Sequence, residues 1–343
     1  MTIELSNLMF TDEDDVVPQS GVEGIYNTGI ANTLAGDDRI TGITASDHFG
    51  ILNQGTINTG AGHDIIIGIC NENHPIVPSV GIRNDGGTIN TDDGNDIIIG
   101  TSQGNYGIFI SNGTINTGNG DDIIIATGID VNGQGILDTG NGSDTITSNV
   151  YGIENYFIFN TGDGNDKITG NANSSSYGIV NVGTIDTGAG NDEITGTNAN
   201  GWGIYNSGST IDTGDGNDKI TGTGSTGIYN NGIIKTGNGE DYIIADGGFN
   251  GSGAWFLGEG EDYIKGFGSG DFYGGNGNDT LELTPGTYTV GIWGEGGESP
   301  IFTKGNQLMI TSEFEKLIAG DTIYDFTSLT AGQIIIVSDN SPG

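Results

Sequence analysis

The chain has 343 residues, of which 66 are glycine, 45 are acidic and only 8 are lysine or arginine, so its formal net charge is −37. This charge repels nucleic acids and anionic lipids, no run approaches the ~20 apolar residues of a membrane-spanning helix, and the first residues lack the pattern of a cleavable signal peptide. The single cysteine, Cys70, excludes an internal disulfide framework. This composition favours a cation as the partner.

Residues 1–23 precede the first recognisable repeat and are predicted to form an N-terminal cap. From 24 to 283 one phrase returns throughout the chain, Thr-Gly-x-Gly-Asn-Asp-x-Ile-x-Gly, as in TGDGNDKITG at 161–170 and again at 213–222. Between its copies lies a second phrase, Gly-Ile-x-Asn-x-Gly followed by Thr-Ile-(Asn/Asp)-Thr-Gly, as in GIVNVGTIDTG at 178–188. Regular self-similarity of this kind indicates a repeat architecture.

Each repeat contains three short pieces with one apolar residue in a period-2 context and glycine or polar residues at both ends. This pattern is typical of strands and turns, and helical stretches are absent. Strands so short bury little alone, but stacked coils at about 4.8 Å spacing bury a continuous apolar column. The sequence therefore predicts an all-β fold, a right-handed parallel β-helix of about nine to ten coils with three parallel sheets.

One asparagine follows the Gly-Ile pair in most copies, always at the same place. In stacked coils these residues would lie above one another, and their amides would bond along the stack. We interpret this ladder as structural. Its members are Asn27, Asn53, Asn84, Asn155, Asn181, Asn206 and Asn230.

The glycine-rich turns contain the candidate metal ligands. Alternating glycines let the backbone bend so that its carbonyls point to one spot, and the closing aspartate adds a carboxylate there. The closing aspartates are Asp38, Asp64, Asp96, Asp122, Asp144, Asp166, Asp192, Asp218, Asp241, Asp262 and Asp279. The glycines expected to present carbonyls are Gly60, Gly62, Gly94, Gly118, Gly120, Gly140, Gly142, Gly162, Gly164, Gly188, Gly190, Gly214, Gly216, Gly237, Gly239, Gly258, Gly260, Gly275 and Gly277.

Stacking these turns puts equivalent carboxylates about 4.8 Å apart, where two unit charges repel by about 3.5 kcal/mol at an effective dielectric constant near 20. Divalent ions between successive turns would reverse this repulsion, with up to about ten ions for eleven turns. Flexible carbonyl and carboxylate oxygens favour calcium over magnesium, which prefers a tight octahedron, and zinc prefers nitrogen or sulfur. The sequence therefore predicts a file of calcium ions.

The turns resemble the nonapeptide Gly-Gly-x-Gly-x-Asp-x-U-x of the hemolysin-type, or repeats-in-toxin, calcium-binding family. GGNGNDTLE at 274–282 fits fully, whereas most copies carry threonine for the first glycine. The resemblance implies that the aspartates supply carboxylates and the turn glycines supply carbonyls to calcium. One unit per coil instead of tandem units implies one file of ions. His63, Ser143, Glu240 and Glu261 replace the asparagine before the aspartate, and Leu34 replaces a glycine.

Residues 284–343 are predicted to form a C-terminal β-rich cap. The segment 310–337 resembles regions that follow such repeats in exported members of the family, where a C-terminal signal engages a type I secretion machine. The resemblance implies a secreted, extracellular protein that folds outside the cell, where calcium is abundant.

Three consecutive coils place isoleucines beside the inward residue of the third strand, where side chains face outward. They are Ile65, Ile67, Ile97, Ile99, Ile123 and Ile125. An apolar patch on an acidic rod is expected to be covered by the insertion at 69–80, by a second copy or by a surface partner. Further along the same outward column Lys167, Glu193 and Lys219 should pair if this register is right.

The expected function is calcium binding coupled to folding, in a structural or surface role. Thr56, Thr88 and Thr114 form an outward Thr-x-Asn array, which leaves a calcium-dependent sugar- or ice-binding module as the alternative. A polysaccharide-modifying enzyme of β-helix fold is a further alternative, but no basic cluster beside an acidic turn supports it, and we expect no catalysis. Cys70 and His74 are spaced like a pair of metal ligands, but the two further ligands that a metal site would need are not present nearby in the sequence.

Overall fold

The computed structural model describes residues 2–18, 23–45, 48–72, 79–104, 106–173, 177–294 and 299–339. These residues form a parallel β-helix with three faces, in which each coil pairs with the coil before and after it. The helical segments among them are two 3-10 turns, Leu5–Asn7 and Phe326–Ser328. The predicted all-β solenoid is confirmed.

The first face contains the Gly-Ile strands. Most of them present one buried isoleucine to the interior, and Phe249 takes that place in the last one. These strands are Thr2–Glu4, Gly24–Asn27, Phe49–Asn53, Val80–Asp85, Tyr106–Ser111, Ile129–Asn132, Ile153–Asn155, Tyr177–Asn181 and Phe249–Asn250.

The second face contains the Thr-Ile strands, which lead into the acidic turns. It is a sheet of fifteen strands, of which the three at its C-terminal edge are antiparallel. Its parallel strands are Ile30–Asn32, Thr56–Asn58, Thr88–Asn90, Thr114–Asn116, Ile136–Asp138, Ile158–Asn160, Thr184–Asp186, Thr210–Asp212, Ile233–Asn238, Ala254–Gly260, Gly270–Gly277 and Gln307–Ser312.

The third face contains the strands that follow the acidic turns. They are Val16–Val17, Arg39–Thr44, Ile65–Cys70, Ile97–Ser102, Ile123–Ala126, Thr145–Ser148, Lys167–Asn171, Glu193–Asn206, Lys219–Asn230, Tyr242–Asp246, Tyr263–Lys265, Thr280–Leu283 and Lys316–Ala319.

The hydrogen-bonded sheets number two among the described residues, although the sequence pattern predicts three. Glu193–Asn206 and Lys219–Asn230 each continue around a corner from the third face to the first, with an irregularity in pairing between Asn198 and Trp202. These continuous strands join the two faces into one sheet of 23 strands. The spacing of the apolar residues predicts which residues share a face of the β-helix. It does not predict whether the hydrogen bonding between strands continues around a corner.

The core is a column of one apolar side chain per strand. On the third face Ile66, Ile98 and Ile124 lie opposite one another on successive coils, and all three are fully buried. Outside this column Glu193 pairs with both Lys167 and Lys219, as the predicted register requires. Larger side chains, Trp255 and Phe272, fill the interior near the C-terminal end.

Both ends of the stack are built from the flanking segments. Thr2–Glu4 and Val16–Val17 pair in parallel with the first complete coil, so the N-terminal residues form a partial coil. At the other end Gln307–Ser312 and Lys316–Ala319 also pair in parallel, which extends the stack past residue 283. The antiparallel strands Gly286–Trp293, Ser299–Lys304, Thr322–Asp325 and Ile334–Val337 complete a β-rich C-terminal cap.

Candidate metal centre

The turn aspartates form a single buried column along one edge of the β-helix. Each is at most 2% exposed. In every one of them Oδ1 accepts the backbone N–H of the aspartate one coil earlier, over distances of 2.7–2.9 Å from Asp38 to Asp279. The closing aspartates therefore lie in line, as the sequence predicts.

The second carboxylate oxygen of each turn aspartate has no partner. In all eleven residues Oδ2 is buried and makes no hydrogen bond within the described part of the chain. Buried polar atoms are almost always satisfied, and an unpaired buried carboxylate oxygen is especially costly. Beside each of these carboxylates a proton or a cation would remove the cost of the unpaired oxygen.

The turn glycines face the carbonyl oxygens of the preceding coil at very short range. A Cβ on Gly164 would lie 1.6 Å from the Gly142 oxygen and 3.3 Å from Oδ1 of Asp166. A Cβ on Gly277 would lie 1.5 Å from the Gly260 oxygen and 3.2 Å from Oδ1 of Asp279. Carbonyl and carboxylate oxygens thus meet at each of these turns, and only glycine leaves them room.

Two turns keep this backbone shape without the first glycine. Leu34 and Asp92 stand at that position with φ of 78° and 61°, in the left-handed region that non-glycine residues rarely adopt. Their carbonyl oxygens approach the glycine of the next coil as closely as elsewhere, at 1.5 Å and 1.7 Å from a Cβ on Gly60 and Gly118. The first turn, which departs from the sequence pattern at Leu34, therefore presents the same backbone geometry.

The threonine at the first position of the turns has a structural role. In most coils its hydroxyl is buried and donates to the carbonyl of the equivalent residue one coil later, for example from Thr91 to Thr117 at 3.0 Å and from Thr117 to Thr139 at 3.1 Å. This column of hydroxyls runs beside the turns and ties successive coils together.

Burial governs the electrostatics of the column. It raises the pKa of Asp166, Asp218 and Asp262 to about 7, and neighbouring aspartates raise it further. The backbone amide bonded to each carboxylate lowers it by less, as do the hydroxyls of Thr161 at Asp166 and Thr213 at Asp218. Burial likewise raises the pKa of Asp96 to about 7 and that of Asp64 to about 6. Ionising the whole column at neutral pH is therefore unfavourable unless cations are present.

The residue before each aspartate forms a second, exposed ladder that runs in the opposite direction. Here the side chain of one coil accepts the backbone N–H of the next coil. For example, Oδ1 of Asn191 accepts the N–H of Asn217 at 2.8 Å. The departures His63 and Ser143 preserve it, because His63 Nδ1 accepts from Asn95 at 2.8 Å and Ser143 Oγ from Asn165 at 3.3 Å.

Two further acidic residues bond to the ends of the buried column, Asp15 through its backbone N–H and Glu315 through its carboxylate, and sequence analysis did not find them. Oδ1 of Asp38 accepts the N–H of Asp15 at 2.7 Å, and Oε2 of Glu315 accepts the N–H of Asp279 at 2.7 Å. Each precedes a strand whose residues pair with a repeat strand, but neither follows a glycine-rich turn. The available signal was an acid two residues before a buried apolar residue, Val17 or Leu317.

The asparagine ladder of the first face is present and buried. Asn27 donates to Asn53 and Asn53 to Asn84, both at 2.8 Å, and the chain resumes from Asn155 to Asn230. Ile110 and Val131 occupy the intervening rungs. Each amide also donates to a carbonyl of the second face, so the ladder is structural.

The outward isoleucines lie together on the third face as predicted. Ile65, Ile97 and Ile123 form one column and Ile67, Ile99 and Ile125 the next. Ile43 and Ile69 lie opposite each other and extend the surface, which the sequence reading did not include. Residues 73–78 of the insertion, including His74, lie outside the described residues. Cys70 is buried.

The outward Thr-x-Asn pairs are also in register over three coils of the second face. Their amides engage one another, since Asn90 Nδ2 donates to Asn58 Oδ1 at 3.0 Å. This contact leaves fewer amide groups for an external sugar or for ice.

No group of three or more His, Cys, Asp or Glu side chains with metal-binding geometry occurs among the described residues. Within the same residues no helix has the length and hydrophobicity to cross a bilayer. Comparisons with protein-family models and with curated proteins returned no match to this chain.

Proposed function

We propose that the stacked turns bind calcium and that this binding is coupled to folding. The observation that carries the proposal is the unpartnered, buried Oδ2 atom repeated at eleven consecutive turn aspartates. A proton neutralises one carboxylate at a time, whereas a divalent ion neutralises the carboxylates of adjacent coils together.

The donor set fits calcium. Asp166 Oδ2 and its equivalents would supply the carboxylate ligands, and turn carbonyls such as those of Gly142 and Gly164 would supply the rest. Oxygen ligands from flexible backbone suit calcium, with its six to eight ligands, better than magnesium. Eleven aspartates in line have ten intervals, which sets the expected limit at about ten ions per chain.

The test is calcium titration of the metal-free chain, followed by far-ultraviolet circular dichroism, with magnesium as the control ion. Equilibrium dialysis counts the bound ions. We expect calcium to increase the β signal and the melting temperature while equimolar magnesium does not, since ligands that bind only the folded state stabilise it. A complete β spectrum in chelator that calcium leaves unchanged, with no ions bound, would contradict the proposal.

A structural role at a cell surface or in an extracellular matrix follows from the same proposal. Secretion by a type I machine rests on the resemblance of the turns and of segment 310–337 to the hemolysin-type family. Calcium-coupled folding would suit such export, because the chain would stay unfolded where calcium is scarce. Measuring the chain in culture medium and in cells, with and without residues 310–343, tests this part.

We also propose that two copies associate through the isoleucine surface, defined as Ile43, Ile65, Ile67, Ile69, Ile97, Ile99, Ile123 and Ile125. Its members carry no charge, so it is a place where two rods of net charge −37 can approach without direct repulsion. The test is sedimentation equilibrium of the Ile97→Thr/Ile99→Thr variant. Threonines already occupy these outward columns at Thr145 and Thr147, so the variant should fold. We expect a dimer for the natural chain and a monomer for the variant, and identical masses would contradict the proposal.

A further inference from the structure

A second pair of acids lies on the first face, away from the turns. Asp130 belongs to the strand Ile129–Asn132 and Glu154 to the strand Ile153–Asn155, and the register places the two residues opposite each other on adjacent coils. Their neighbours Ile129 and Ile153 are buried in the core, so the two carboxylates project outward. Adjacent strands are about 4.8 Å apart, which makes this a close pair of like charges.

Asp130 is buried although it faces outward. It is 3% exposed, and its Oδ1 is buried without a hydrogen-bond partner within the described residues. On one side lies Phe109, its partner on the preceding coil. Tyr106, from that same preceding coil, reaches past the coil of Asp130 and donates to Oε2 of Glu154 at 3.3 Å. Asp130 therefore lies between Phe109 and Glu154 on adjacent coils, with the Tyr106 hydroxyl bonded to Glu154.

Two tyrosine hydroxyls converge on the pair. Tyr156 donates to the same Glu154 oxygen as Tyr106, at 3.4 Å. Burial, followed by the charges of Glu154 and Asp130, raises the pKa of Tyr156 to about 12 and raises that of Tyr106 also. Both hydroxyls stay protonated, and each oxygen retains acceptor capacity. The groups that meet at Glu154 are carboxylate and hydroxyl oxygens, and Asn132 adds an amide beside Asp130.

No positive side chain compensates the pair. Residues 123–166 contain no lysine or arginine. Arg83, two coils before Asp130, places its guanidinium over the rings of Phe49 and Phe109, 5.3 Å and 5.1 Å from their centroids, and pairs with Asp85. None of the ion pairs in the described part of the chain includes Asp130 or Glu154. Burial and then Glu154 raise the pKa of Asp130 to about 7, as expected of a carboxylate that lacks a counter-ion.

We propose that Asp130 and Glu154 bind one additional calcium ion, with the hydroxyl oxygens of Tyr106 and Tyr156 as further ligands. The two carboxylates supply the charge, and an oxygen-only set is the one that calcium prefers. This site is independent of the turns. It would link the coils of Asp130 and Glu154 to each other, close to the place where Ile110 and Val131 interrupt the asparagine ladder.

The test compares the natural chain with Asp130→Asn/Glu154→Gln, which keeps the shapes of both side chains. Asp138→Asn is the control, because Asp138 lies in the same coil as Asp130 but on the second face. We expect equilibrium dialysis to show one calcium ion fewer per chain in the double variant and no change in the control. Tyrosine-sensitised terbium luminescence should fall in the double variant by more than in the control.

Equal ion counts in the natural chain and the double variant, both folded by circular dichroism, would overturn the proposal. If the double variant does not fold, the single Asp130→Asn variant gives the same comparison. Failure of the turn sites has a different signature, since the natural chain would then bind one ion and the double variant none. If only the present site fails, the high ion count of the turns would remain and would not change in the double variant.

Discussion

Each turn aspartate uses its two carboxylate oxygens differently. Oδ1 accepts the N–H of the preceding aspartate and fixes the register of the coils, whereas Oδ2 is buried without a partner. An asparagine can still accept through Oδ1, but it carries no charge and cannot supply a second carboxylate oxygen. Replacing aspartate by asparagine therefore separates the structural bond from the proposed metal ligand.

We predict that Asp166→Asn changes stability in opposite directions with and without calcium. In chelator the variant removes a buried charge with an unpaired oxygen, so the free energy of unfolding should rise, by about 1 kcal/mol. In calcium the variant loses a ligand to adjacent ions and should be destabilised. Urea unfolding in both buffers measures the two effects.

Asp163→Asn is the matched control for this prediction, because Asp163 lies in the same turn but is exposed. It should stay within about 0.5 kcal/mol of the natural chain in both buffers. An Asp166→Asn variant that is equally destabilised with and without calcium would show that the aspartate acts only through its hydrogen bond.

Two neighbouring glycines allow a test of the close carbonyl approach. Gly214 and Gly208 have similar φ, 84° and 72°. A Cβ on Gly214 would lie 1.7 Å from the Gly188 oxygen, whereas a Cβ on Gly208 would meet nothing within 4 Å. We predict that Gly208→Ala costs only the left-handed conformation, about 1–2 kcal/mol, and that Gly214→Ala costs more than about 3 kcal/mol because the coils must also separate. Thermal unfolding in calcium compares them, and equal losses would contradict the close approach.

At the scale of the strand and turn, polar ladders give each coil its position. The buried aspartates accept from the coil before them, whereas the exposed Asn-type residues of the same turns accept from the coil after them. The asparagines of the first face add bonds to each other and to the second face. A coil that slipped by one residue would lose all of these bonds together, so the ladders oppose alternative registers.

We predict that Asn181→Ala destabilises the protein by about 2–4 kcal/mol. The substitution removes the acceptor for Asn155 at 2.9 Å and the donor to Asn206 and to the Thr210 carbonyl at 2.9 Å and 2.8 Å, all in a buried setting. Buried groups left without partners cost about 1–3 kcal/mol each, and adjacent losses overlap. Urea unfolding measures the change.

Asn160→Ala is the control for the ladder, because Asn160 lies on the outward side of the second face and donates to Asp138 from a partly exposed position. Its expected effect is within about 0.5 kcal/mol. Similar losses at Asn160 and Asn181 would mean that the buried ladder adds nothing beyond ordinary surface bonds.

The repeated part of the fold can be predicted from the sequence because most strands carry one isoleucine at a fixed distance from the glycine-rich turn. When the coils stack, these isoleucines lie above one another and form the core. It does not reveal contacts that depend on irregular coils. Asp15 and Glu315 extend the aspartate column without a glycine-rich turn. From the sequence alone, Asp130 would be taken for an exposed residue. In the structure it is buried, and Tyr106 from the preceding coil extends across the coil of Asp130 to bond Glu154.

For the whole molecule, the distribution of charge makes stability depend on what neutralises the aspartate column. Eleven buried aspartates lie in line, and the residues that bond to the two ends of the column, Asp15 and Glu315, are acidic as well. The column offers no lysine or arginine at these positions. Protons and divalent cations are therefore competing ligands for one set of oxygens.

We predict that the metal-free protein is more stable in weak acid than at neutral pH, and that calcium reverses this order. Burial raises the pKa of every turn aspartate above 3.8, to about 6 at Asp64 and to about 7 at Asp166 and Asp218, so the folded chain binds more protons than the unfolded chain between about pH 4 and pH 7. The free energy of unfolding in chelator must then fall as the pH rises through this window. In calcium the ionised carboxylates are the binding form, so acid displaces the ions and lowers stability instead. Melting temperatures from pH 5 to pH 8, in chelator and in calcium, check both slopes, and parallel curves in the two buffers would show that protons and calcium do not compete for the column.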